Sequence, residues 1–115
     1  GGFELWKKSN EEIDIIESVL ANDLNELMNS DIKLIDVRAK SEREKGFLKE
    51  SFNIPLNIIH SKVKKLDKSE RYYIHCAGGY RSMIACSILK SIGFDSLFNI
   101  KGGFAEIRKS ELQIV

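Results

Sequence analysis

At 115 residues the chain is long enough for one hydrophobic core and too short for two ordinary domains. With 43% apolar and 30% charged residues, it has the balance of a folded globular unit and not that of a disordered chain. Eighteen Lys and Arg against 17 Asp and Glu leave no overall field that would recruit nucleic acid or an anionic membrane, so any anion must be held locally.

Residues 1–16 read as a lead-in and 17–115 as the domain. The start at Gly1, without methionine, suggests a processed or excised piece. Gly1-Gly2-Phe3-Glu4-Leu5-Trp6-Lys7-Lys8-Ser9 is echoed by Gly102-Gly103-Phe104-Ala105-Glu106-Ile107-Arg108-Lys109-Ser110. Two readings are open: the first copy is the tail of a similar domain fused upstream, or the match is chance. No apolar run approaches a membrane span, and the N-terminus lacks the charged and hydrophobic regions of a signal peptide. Only two cysteines occur, Cys76 and Cys86, at a spacing that fits neither a zinc site nor a C-x-x-C pair. That usage suits a reducing cytoplasm.

Glu17–Leu20 is the first of four short apolar segments that read as buried strands; the others are Ile32–Val37, Arg71–Cys76 and Ser96–Ile100. A fifth strand around Phe52–Ile54 ends at Pro55, the only proline, which suits a strand end and not a ladder interior. Between the strands, Leu24, Leu27 and Met28 show helical spacing, as do Ile58, Ile59, Val63 and Leu66, with Asn22 and Asn57 as expected N-caps. The basic run Lys62 to Lys68 alternates with Val63 and Leu66 and reads as a solvated helix face. The best helix follows Cys76: Ile84, Ala85, Ile88, Leu89 and Ile92 form one stripe, and Gly93 stands where a C-cap glycine belongs. Alternating strands and helices predict an α/β domain, a parallel sheet of about five strands with helices on both faces and right-handed crossovers. In such sheets ligands bind beyond the carboxyl ends of the strands, where Cys76 lies.

The chemistry concentrates in Cys76-Ala77-Gly78-Gly79-Tyr80-Arg81, followed by Ser82. Gly78 and Gly79 let the backbone curl so that successive N–H groups point at one spot, making an anion cradle. A helix opening at Arg81 or Ser82 adds the partial positive charge of its N-terminus, and Arg81 adds a guanidinium. All three favour a Cys76 thiolate, and the same donors would stabilise a persulfide or dock an incoming anion. Tyr80 either lines the cradle's entrance or packs against its outer face. Cys86, on the apolar stripe, reads as a core residue, and His60 has no partner that would give it a role. His75 points to the opposite side of its strand from Cys76 and reads as structural. Asp36 and Arg38 read as an ion pair supporting the loop, or as groups that satisfy only their own turn.

These residues resemble the rhodanese-like domains, whose six-residue loop begins with the catalytic cysteine. Leu34-Ile35-Asp36-Val37-Arg38 is similar to the family's strand-ending signature, as are Asn53-Ile54-Pro55-Leu56, Gly93-Phe94 and Asn99 to Phe104. Where the family often has Gly-His-Ile-Pro-Gly-Ala, this chain has Gly46-Phe47-Leu48-Lys49-Glu50-Ser51, without the histidine. The resemblance implies a sulfurtransferase that passes a sulfane sulfur through a Cys76 persulfide. Ala77 to Ser82 would hold the substrate, and no metal or organic cofactor would be needed. Implied partners are a small anionic donor such as thiosulfate and an acceptor that is a thiol or a sulfur-carrier protein. The rival expectation is a rhodanese-fold module that binds without catalysis. The related cysteine phosphatases and arsenate reductases, whose loop is one residue longer, come third.

Overall fold

A computed structural model describes residues 16–27 and 32–115. The expected helix position at Met28 and the glycine-led echo at Gly1 to Ser9 lie outside these residues. Five parallel strands form one sheet in the order β1-β5-β4-β2-β3: β1 Glu17–Val19, β2 Lys33–Asp36, β3 Ser51–Asn53, β4 Arg71–His75 and β5 Ser96–Ile100. Each expected strand is present: Ser96–Ile100 matches end to end, three others are slightly trimmed, and the one expected around Phe52–Ile54 is shifted one residue toward the N-terminus. The chain runs outward from β2 to β3 on one side and from β4 to β5 on the other, so the β2–β4 boundary is the point where the winding reverses. Cys76 immediately follows β4 at that boundary.

Alternation along the strands divides the interior into two cores. Ile35, Tyr72, Ile74 and Cys76 face one side, where they meet Ile59, Val63, Ala85, Cys86 and Leu89. Leu34, Tyr73 and Ile100 face the other, against Leu24, Phe104, Ile107 and Leu112. The helices are α1 Leu24–Leu27, α2 Lys40–Arg43, α3 Ile59–Lys62, α4 Tyr80–Ser91 and α5 Gly103–Ile107. Both faces of the sheet are therefore covered, as the apolar strand runs require.

Helix α4 ends as expected. Gly93 has φ 107°, its N–H bonds the Lys90 carbonyl, and the Phe94 N–H bonds Leu89, the double closure of a glycine-terminated helix. The expected caps at Asn22 and Asn57 are corrected: each lies inside a 3-10 turn, Ala21–Asp23 and Leu56–Ile58, preceded by Leu20 and Pro55. These short turns start from extended backbone that needs no side-chain cap. The basic run near Lys62 is solvated, with Val63 alone fully buried. The segment that departs from the family pattern pairs with the chain's end: Phe47 and Val115 exchange two backbone hydrogen bonds of 3.0 and 2.8 Å. Among the described residues no helix is long and apolar enough to cross a membrane.

Candidate active site

The loop after β4 curls as its glycines require. Gly79 has φ 101° and caps α4, which opens at Tyr80, one residue before the expected start. The Gly79 N–H donates to Cys76 Sγ at 3.0 Å, and the Ser82 hydroxyl lies 3.5 Å from the sulfur. Cys76 is 1% exposed. Burial, the largest single influence, would raise its thiol, yet hydrogen bonds from the Ser82 side chain and from the amides of Ser82, Gly79 and Gly78 outweigh it and hold it below its ordinary value. The surroundings of the buried sulfur therefore favour its ionised form more than those of an ordinary cysteine do. Cys86 has no such donors, and burial pushes it up to about 12, which makes it the inert core cysteine expected.

The outer side of the loop is gripped by α5. Its Phe104 N–H donates to the Cys76 carbonyl at 2.7 Å and the Ala105 N–H to Ala77 at 3.1 Å, which turns the carbonyls out and leaves amides pointing in. So close an approach is possible because Gly103, at φ 60°, has no side chain; a Cβ there would collide with the Cys76 carbonyl oxygen. Sequence reasoning saw the double glycine as a family resemblance and missed this contact. Phe104 in turn stacks on His75, with ring centroids 6.1 Å apart, and carries the Arg38 guanidinium 4.0 Å from its centroid.

The Asp36–Arg38 ion pair is present and fully buried. Arg38 donates from Nε and from its backbone N–H to Asp36 at 3.0 Å and from one terminal nitrogen at 2.8 Å. Arg43, which the sequence did not single out, adds a 3.3 Å contact to the same carboxylate and binds Ser51. Arg38 meets the outer side of the cradle through the Phe104 ring, so the support this contact gives is indirect. His75 lies on the face opposite Cys76, and burial lowers its pKa and favours the neutral ring, in line with a structural part.

Arg81 has a partner that sequence reasoning did not name. Its guanidinium forms a two-pronged ion pair with Glu42 of α2, at 2.6 and 2.9 Å, while its charge remains electrostatically coupled to Cys76. The direct donors to the sulfur are amides and the Ser82 hydroxyl. Tyr80, the first residue of α4, is 76% exposed. Among the described residues no three His, Cys, Asp or Glu side chains gather where they could hold a metal.

A model of the Rhodanese-like domain matches residues 20–110. The chain belongs to the rhodanese-like domain family. It is 28% identical to a sulfurtransferase of Allochromatium vinosum over 74% of this chain and 79% of that one. It is 35% identical to the mouse thiosulfate sulfurtransferase/rhodanese-like domain-containing protein 3, over 92% and 78% of the two chains. A rhodanese-related protein of Thermoplasma volcanium superposes with a TM-score of 0.79 at 29% identity, covering 86% of this chain and 97% of that one. Of two longer relatives the chain spans 19% and 22%. The rhodanese-like fold thus rests on both sequence and shape, and the kinship with sulfurtransferase-named proteins on sequence.

Ser82 offers a direct check on the rhodanese cradle. Its single hydroxyl proton has three takers: Gly79 O at 3.1 Å, Asn99 Oδ1 at 2.5 Å, and the sulfur once ionised. Asn99, buried on β5, was not singled out from sequence because its partner lies 17 residues away. Ser82→Ala is expected to slow alkylation of Cys76 at neutral pH by roughly tenfold, the worth of one hydrogen bond to an anion. The pH dependence should move to more alkaline values, since the lost bond favoured the ionised form. Rates of iodoacetamide labelling against pH check this, and a curve identical to the parent would remove Ser82 from the cradle.

Proposed function

We propose that this rhodanese-like domain is a sulfurtransferase that carries a sulfane sulfur on Cys76. The observation that carries the reading is the ring of donors around a buried sulfur, which lowers its pKa against the effect of burial. In the first half-reaction the Cys76 thiolate attacks the outer sulfur of the donor. The S–S bond of the donor breaks and its electron pair leaves with the remainder, sulfite in the case of thiosulfate. The terminal sulfur of the new persulfide is anionic, and the inward amides that held the thiolate hold it in turn. In the second half-reaction an acceptor thiolate, or cyanide in a test tube, attacks that terminal sulfur, and the electron pair returns to Cys76. Ala77 to Ser82 line the site, Asp36 and Arg38 support it through Phe104, and the chemistry needs no metal or organic cofactor. A cellular thiol or a sulfur-carrier protein is the acceptor, in the cytoplasm.

The test is mass spectrometry of the intact protein and its peptides after incubation with thiosulfate. One extra sulfur atom on the Cys76 peptide, removed by cyanide and absent from the Cys86 peptide, is expected. No adduct on either, with thiosulfate or with an alkyl persulfide as donor, would leave a non-catalytic binding module as the better reading.

A further inference from the structure

We infer that Glu42 sets the donor class of this site: by filling the fork of Arg81, it turns the cradle away from dianionic donors and toward singly charged persulfides. The inference rests on the sulfur-transfer reading and concerns which donor is preferred. Three arginines surround the carboxyl ends of β2 and β4, and each is already committed to a carboxylate. Arg38 and Arg43 share Asp36, and Arg81 holds both oxygens of Glu42. A bidentate carboxylate uses the same fork that a sulfonate end of thiosulfate would use. The inward amides remain, but they already donate toward the Cys76 sulfur. A dianion entering here approaches the Cys76 sulfur with the Arg81 charge already balanced by Glu42, and no uncommitted guanidinium among these three offsets its second charge.

Glu42 is also fixed in place. Its carboxylate accepts the Ala39 N–H at 3.0 Å, which ties it to the first turn of α2. Arg81 holds its pKa at about 2, so it stays ionised at any pH where sulfur transfer would be measured. Beside Arg81 lies a hollow of about 350 Å³ lined by Val37, Ala39, Pro55, Leu56 and Asn57. Its walls are largely apolar. They suit the organic part of an alkyl persulfide better than a small oxyanion, which would lose hydration there without a new partner.

The experiment compares kcat/KM for thiosulfate and for a low-molecular-weight alkyl persulfide, with cyanide as acceptor. Glu42→Gln keeps the shape and the bond to Ala39 while removing the charge. It is expected to raise the thiosulfate-to-persulfide ratio by roughly tenfold, mainly through a lower KM for thiosulfate. Glu42→Ala should shift the ratio in the same direction. Adding Arg81→Met to Glu42→Gln should return the ratio toward the parent value, because the effect runs through the freed guanidinium. A ratio unmoved by both Glu42 variants overturns the inference while leaving sulfur transfer intact. A parent protein that takes sulfur from neither donor overturns both.

Discussion

Cys76→Ser is expected to lose sulfur-transfer turnover by about a thousandfold or more, with little change in stability. The serine oxygen would still accept the Gly79 N–H that now reaches sulfur at 3.0 Å, so the cradle keeps its partner. What changes is the chemistry of the atom. An aliphatic hydroxyl beside no general base stays protonated at neutral pH and is a poor nucleophile, whereas the thiol here is held below its ordinary value. Cys86 cannot substitute, since burial keeps its thiol protonated to about 12. The change removes no large volume and leaves the hydrogen bonds in place, which keeps the stability cost to about 1 kcal/mol or less. Turnover with thiosulfate and cyanide, paired with thermal unfolding, checks both halves. A serine variant that still turns over would show that another group carries the sulfur.

Asp36→Ala carries the largest expected effect on stability, about 3–5 kcal/mol. The alanine would leave the buried Arg38 guanidinium without its carboxylate and would strip Arg43 of one anchor. Domains of this kind are stable by only about 5–15 kcal/mol, so the variant sits close to unfolding. Burial, the largest influence on Asp36, raises its pKa, but the bonds from Arg38 and the positive surroundings overcome it and leave it below its ordinary value. A carboxylate held low in the folded state contributes stability in full above its unfolded value. That contribution fades as the pH falls through the lower folded value. The parent should therefore lose this part of its stability in acid, and the variant should show a flatter acid limb. Urea unfolding across pH measures both, and a midpoint equal to the parent at neutral pH would show that the ion pair adds nothing.

What the sequence disclosed follows from how local each signal is. The strands were legible because a parallel sheet covered on both faces needs unbroken apolar runs such as Ile32–Val37. Their ends were shifted because pairing decides them: Val37 lies beyond β2 by assignment yet still donates to the His75 carbonyl. The cradle was legible because cysteine, glycines, serine and helix start fall within seven consecutive residues. Glu42 was not, since it sits on a four-residue helix without a stripe and meets Arg81 across 39 residues of chain. The same distance explains why the ion-pair partner of Arg81 was not foreseen. Asn22 and Asn57 look like caps in isolation and become interior residues of 3-10 turns once Leu24 and Ile59 are packed into their cores.

The grip of α5 on the loop also bears on when the protein becomes reactive during its own synthesis. Cys76 leaves the ribosome well before Phe104 and Ala105, whose amides turn the Cys76 and Ala77 carbonyls outward. Until those last residues dock, the nascent chain carries an ordinary thiol on an unshaped turn, and a prematurely released chain ending before them would stay unarmed.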